Sequence, residues 1–158
     1  MGLDMYLRAT RYVSGYEHSD QNSKDACAAI LMACGQLPFS TMAQDAPSIT
    51  VAVTVGYWRK ANAIHAWFVD NVQKGVDECQ NSHVEREQLV QLLDRCKEVL
   101  QGTKKGEEAL PTRSGFIFGN TEYKDSYRED LEKTVKMLEG ILNNPKLEDW
   151  GFEYHSSW

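Results

Sequence analysis

The run Ser48–Val55 constrains the fold more than any other stretch. Ile49, Val51, Val53 and Val55 alternate with Thr50, Ala52, Thr54 and Gly56, and β-branched residues dominate the run. That is the period-2 signature of a strand with one covered face. Gly56 closes it, and a helical pattern begins within the next few residues. The block Gly56–Phe68 reads Gly-Tyr-Trp-Arg-Lys-Ala-Asn-Ala-Ile-His-Ala-Trp-Phe. It crowds aromatics, two cations, an amide and an imidazole onto an expected strand–helix junction.

The other elements follow from the same two periods. Leu3–Val13 alternates, with Leu3, Met5, Leu7 and Ala9 on one side and Asp4, Tyr6, Arg8 and Thr10 on the other. A loop, Ser14–Asn22, leads to a short helix over Lys24–Cys34, with Ser23 as its N-cap and Gly35 as its stop. Gln36–Pro47, with two prolines, reads as a mobile or length-variable loop. The helix after the second strand is placed at Arg59–Gln73. Its core stripe is Ala61, Ile64, Phe68 and Val72, and Arg59, Ala63 and Asp70 face away. Ser82 and Glu85 read as a capping box opening a helix that ends before Gly102. Its stripe is Leu89, Leu92, Leu93, Cys96, Val99 and Leu100. Thr103–Pro111 reads as a loop and Gly115–Gly119 as a short strand. A long helix covers Lys124–Asn143, with Tyr127, Leu131, Val135, Leu138, Ile141 and Leu142 inward. Trp150–Trp158 alternates as a last strand. The order β-α-β-α-α-β-α-β predicts one α+β domain over residues 1–158. It would have two layers, about four mainly antiparallel strands and about four helices on one face.

Composition narrows the function. The chain has 158 residues, 42% of them hydrophobic and 25% charged. A chain of this size buries roughly 68–70% of its unfolded surface, enough for a core without staples. A net charge of −6 argues against a binder of duplex DNA, which needs a basic surface. It leaves room for a local basic pocket. Cys27, Cys34, Cys79 and Cys96 form no C-x-x-C pair and no zinc spacing, so neither a metal nor a cofactor is expected. Cys27 and Cys96 fall on apolar stripes, as buried thiols do, which suits a reduced, cytoplasmic setting. Asp4 and Arg8 interrupt the only apolar stretch near the start, so no signal peptide is expected there. No run approaches the roughly 20 apolar residues of a membrane helix, and no membrane partner is expected.

Placed in the first turn of a helix, Arg59 and Lys60 would oppose its macrodipole, and a bound phosphate or carboxylate would reverse that penalty. Tyr57 and Trp58 could stack on a ring. Asn62 and His65, one turn apart, could hydrogen-bond the same ligand. Packing is the alternative for each residue. Trp58 would then cover the core edge, Arg59 would pair with a carboxylate, Asn62 would bridge backbone groups, and His65 would be a satisfied core histidine. A second junction, Gly119–Tyr123, would cap the following helix, or line a pocket if it falls beside the first. Asp4 and Glu122 are candidate general bases, with His65 as acid/base. No P-loop, G-x-G-x-x-G, H-E-x-x-H or G-x-S-x-G is present in the sequence.

The opening Met-Gly-Leu-Asp-Met-Tyr-Leu, the block Tyr57–Phe68, the following Asn71-Val72-Gln73, the Phe118–Tyr123 turn and the closing Ser156-Ser157-Trp158 resemble a family of small proteins carried by tailed bacteriophages and prophages. The resemblance covers nearly the whole chain and names no activity. It implies use in the cytoplasm of an infected bacterial host, where small accessory proteins often disable defences. The leading expectation is therefore capture of an anionic small molecule, such as a nucleotide serving as a defence signal. The alternatives are a small hydrolase or transferase acting on such a ligand, and an inhibitor that binds a host protein. A homo-oligomer is compatible with each.

Overall fold

The computed structural model describes residues 2–35, 48–115 and 117–158. Its elements are β1 (Asp4–Ser14), α1 (Gln21–Ala33), β2 (Ser48–Arg59), α2 (Asn62–Asn71), β3 (Ser82–Val84), α3 (Arg86–Leu100), α4 (Gly106–Ala109), α5 (Asp125–Leu142) and β4 (Gly151–Ser157). The four strands form one open antiparallel sheet in the order β2-β1-β4-β3. With five helices, this is an α+β fold. None of these helices is long and apolar enough to cross a membrane.

Contacts divide the chain into two compact units, Met1–Ala9 with Val53–Trp158, and Thr10–Ala52. In the smaller unit, α1 begins one turn earlier than its sequence suggests. Asp20 is the N-cap, and its carboxylate accepts the Ser23 N–H at 2.9 Å. The Ser23 hydroxyl instead accepts the Ser14 N–H, also at 2.9 Å. Cys27 is the buried member of the expected stripe, and Cys34 is exposed. Gly35, at φ +82°, ends the helix in the left-handed conformation that favours glycine. The loop expected over Gln36–Pro47 lies outside the described residues.

The larger unit holds the main core. Leu3, Met5, Leu7 and Ala9 of β1 are fully buried, as their alternation requires. Phe152 and Tyr154 of β4 join them, and Tyr154 stacks in parallel on Phe68 of α2 at 4.0 Å. Leu89, Leu92, Leu93 and Cys96 of α3 and Leu131, Leu138 and Ile141 of α5 complete the cluster. Full burial of each such side chain stabilises the fold by about 1.5–3 kcal/mol. Burial also pushes the Cys96 thiol up to about 12, so it stays protonated. Arg86 anchors the start of α3 by donating to the Leu142 and Leu147 carbonyls at 2.9 and 3.2 Å.

Several boundaries differ from the sequence reading. The second strand runs on through Gly56, Tyr57 and Trp58 to Arg59, so α2 is shorter than expected and starts at Asn62. The residues that marked this strand form a face that is only partly covered: Ile49, Val51 and Val55 are half-buried, and Val53 is 47% exposed. The buried positions are Gly56 and Trp58 instead. Trp58 is held by its indole N–H, which donates to Thr134 Oγ1 of α5 at 2.8 Å. α2 is buried all round from Asn62 to Val69, so Ala63 does not face away. Helices of that kind run through a core rather than lie on it.

Ser82–Val84 is a strand, not a cap. It pairs with β4 through Ser82 and Tyr154, His83 and Glu153, and Val84 and Phe152. The capping box falls one turn later, between Glu85 and Gln88. Among the described residues, Gly115 and Ile117–Gly119 form no strand, and Phe116 lies outside the described residues. Phe118 folds back over Gly115 instead: a Cβ on Gly115 would meet the Phe118 ring at 2.5 Å. β3 takes the place of that expected strand.

Gly56 is required by close approach. A Cβ there would come within 2.5 Å of Met137 Sδ and 3.1 Å of Leu7 Cβ. Gly56→Ala is expected to destabilise the protein by about 1–3 kcal/mol, the usual cost of overpacking. The measurement is the urea midpoint at constant slope. An unchanged midpoint would mean that Met137 yields freely.

Candidate functional site

The turn between β2 and α2 is built by backbone constraints. The Lys60 N–H donates to the Leu3 carbonyl at 2.8 Å, which carries the sheet pairing one residue past the strand. The chain then reverses, and Lys60 adopts φ +59°. A side-chain-bearing residue in that region costs roughly 1–2 kcal/mol. Gly119, at φ +93°, packs directly on the turn, and a Cβ on it would lie 3.1 Å from the Lys60 carbonyl oxygen.

Asn62 fastens the turn to the segment beside it. Its Nδ2 donates to the Phe118 and Asn120 carbonyls at 3.2 and 2.8 Å. Its Oδ1 accepts the Arg113 N–H at 3.3 Å. This places Gly119 and Asn120 against the start of α2, so the two expected junctions do meet. Between them and the first half of α5 lies a cavity of about 250 Å³. Arg59, Lys60, Asn120, Ser126, Tyr127 and Asp130 are among the residues that line it.

The electrostatics of this cavity start from α2. Its N-cap, Ala61, has no side-chain acceptor to offer. The Asn62 N–H bonds the Lys60 carbonyl, and the His65 N–H bonds the Ala61 carbonyl. Ala63 and Ile64, which also line the cavity, have no acceptor for their N–H groups among the described residues. Open N–H groups at a helix start carry partial positive charge and attract anions. The Arg59 guanidinium lies 3.7 Å from Asp4 Oδ1, a loose pair with most of the arginine exposed. Lys60 is exposed and has no ion pair among the described residues.

The remaining candidates lie elsewhere. Arg59 ends a strand and Lys60 stands in the turn, so neither occupies the helical first turn expected of them. Trp58 is fully buried, which leaves its ring no free face for a ligand. Tyr57 is 38% exposed on the opposite face of the sheet. There its hydroxyl donates to Asp4 at 2.5 Å, which raises its pKa, and its ring meets Tyr6 at 5.4 Å. Glu122 is exposed and pairs with Lys124 at 2.9 Å, which holds its carboxyl below the usual range.

His65 is fully buried. Its Nε2 lies 3.0 Å from Asp77 Oδ2 and its Nδ1 lies 2.7 Å from the Tyr154 hydroxyl. A carboxylate only accepts, so Nε2 carries the proton and Nδ1 accepts from Tyr154. Asp77 in turn accepts the Trp158 indole N–H at 3.1 Å. Both ring nitrogens are thus engaged inside the core. No hydrogen bond or ion pair joins His65, Asp4 and Glu122 among the described residues. Nor do any three His, Cys, Asp or Glu side chains among them group as a metal site would.

Asp130 is the functional candidate that the periodicity hid. Burial raises its carboxyl to about 6, against the opposing pull of Lys133. Ser126, Asp130 and Thr134 form an i, i+4 polar file beside the apolar stripe of α5, and that file is the signal available in the sequence. Tyr127 also faces the cavity, and its hydroxyl donates to the Leu110 carbonyl at 3.0 Å. No family model, curated protein or solved structure matches this chain.

Two outcomes test this geometry. Asn62→Ala removes three hydrogen bonds and should cost about 2–4 kcal/mol in denaturant unfolding. A loss below 0.5 kcal/mol, roughly the net value of one bond, would contradict the clasp. Burial holds the His65 pKa below its ordinary 6.5. The unfolded chain therefore takes up a proton at a pH where the folded chain does not. The stability tied to His65 is full above about 6.5 and is lost as pH falls toward the depressed folded value. In proton NMR the imidazole should keep its neutral-form shift through pH 6.5; titration at or above that pH would overturn the assignment.

Proposed function

We propose that this protein binds a small phosphate- or carboxylate-bearing molecule in the cavity between the start of α2 and the first half of α5. The observation that carries the reading is the meeting, at one concavity, of the open α2 N–H groups and Lys60, which has no ion pair among the described residues. Each of these favours negative charge, and together they act over a shared volume. A volume of about 250 Å³ lies just under the range of roughly 300–1,000 Å³ usual for small-molecule sites. It suits a phosphate with a compact body, such as part of a mononucleotide. The ring contact falls to Tyr127, whose phenol is kept neutral by burial, rather than to Tyr57 or Trp58.

Capture without turnover is favoured because His65 commits both ring nitrogens to Tyr154 and Asp77. Joined with the resemblance to proteins of tailed phages, the reading places the protein in an infected bacterial cell, where it would withdraw a nucleotide-like signal.

Titration calorimetry with inorganic phosphate, methyl phosphate and a mononucleotide tests it. Binding should weaken as salt is raised. Lys60→Gln should raise Kd about five- to tenfold, the loss of one charge-assisted hydrogen bond at a partly exposed site. Absence of heat with all three probes at millimolar concentration would overturn the proposal.

A further inference from the structure

We infer that the ligand is a compact zwitterion, its anionic group held by Lys60 and the start of α2 and its ammonium group received by the carboxylates of α5. This deepens the anion-binding reading and rests on it.

The charges on the cavity wall carry the argument. Lys60 borders the cavity from the turn before α2, and Glu129 and Asp130 border it from α5, while the Arg59 guanidinium is turned to Asp4. Lys60 and two acidic residues therefore border one volume of about 250 Å³. They do not close on one another. No ion pair joins Lys60 to Glu129 or Asp130, and neither carboxylate has a salt-bridge partner among the described residues. Opposite charges that border one cavity without pairing leave it with a positive and a negative side.

A simple dianion would gain from Lys60 and the open N–H groups. It would also feel the repulsion of two carboxylates on the same lining, a loss that grows in a partly enclosed site. An ammonium group on the same molecule turns that repulsion into attraction. The polar neighbours Ser126 and Asn120 can each accept a further N–H. Asp130 is half-buried, and burial disfavours its charged form, which Lys133 only partly offsets. A bound ammonium would restore that form.

Calorimetry at pH 7.5 and constant ionic strength separates the possibilities, with methyl phosphate and O-phosphoethanolamine as probes. Phosphoethanolamine should bind roughly fivefold more tightly, the scale of one partly exposed ion pair. Asp130→Asn should bring the two probes to parity while leaving methyl phosphate bound, with Glu129→Gln causing a smaller change in the same direction. Circular dichroism checks that both variants keep the fold. Equal binding of the probes by the unaltered protein, tighter binding of methyl phosphate, or a preference that survives both substitutions would overturn the zwitterion and leave the anion site standing. If neither probe binds, both proposals fall.

Discussion

Complete burial of α2 from Asn62 to Val69 is the constraint that shapes the larger unit. Water cannot serve the side chains of a helix so enclosed, so each polar side chain on that stretch needs a partner within the protein. Asn62 finds three, all on the segment Arg113–Asn120. His65 finds two, one on β4 and one in the loop after α2. Those five bonds fix where the neighbouring segments lie. They bring Gly119 and Asn120 to the β2–α2 turn, and they hold Tyr154 flat against Phe68. Satisfying a buried helix thus also sets the walls of the cavity.

Periodicity made much of the fold legible. The alternation in Leu3–Ala9 and Phe152–Tyr154 and the apolar stripes of α3 and α5 correspond to buried faces because each of those elements has one covered side. In the second strand periodicity and close packing part company. Ile49, Val51, Val53 and Val55 have the strongest β preference in the chain, yet the close packing occurs at Gly56 and Trp58. β preference reports fit to a pleated surface and says little about which stretch the core will cover. The true end of that strand was hidden for a related reason. Tyr57, Trp58 and Arg59 suit a strand and a helix start equally, and the choice was made by pairing with β1 through the Lys60 N–H.

The candidate site was legible in its cations and obscure in its acids. Arg59 and Lys60 stand out in the sequence, although the physical reason they matter has changed. They stand just before the helix rather than in its first turn, with Ala61 between Lys60 and Asn62. From there Lys60 borders the cavity together with the open N–H groups, and the Arg59 guanidinium turns to Asp4, instead of both opposing a macrodipole from within the helix. Asp130 could not be singled out in the same way, because on a charged helix one carboxylate looks like the next. Its distinction comes from the cavity beside it. His65 took the opposite course, a conspicuous residue whose partners are all internal.

The left-handed backbone at Lys60 carries an evolutionary implication. Glycine would occupy that φ without strain, so a chain selected for thermodynamic robustness alone would favour it there. Retaining a long cationic side chain at such a point sacrifices some folding free energy for a charge at one fixed location. Backbone strain of this kind concentrates where a side chain is needed at a set position, and exchange of this lysine for glycine would relieve it and leave the molecule sturdier.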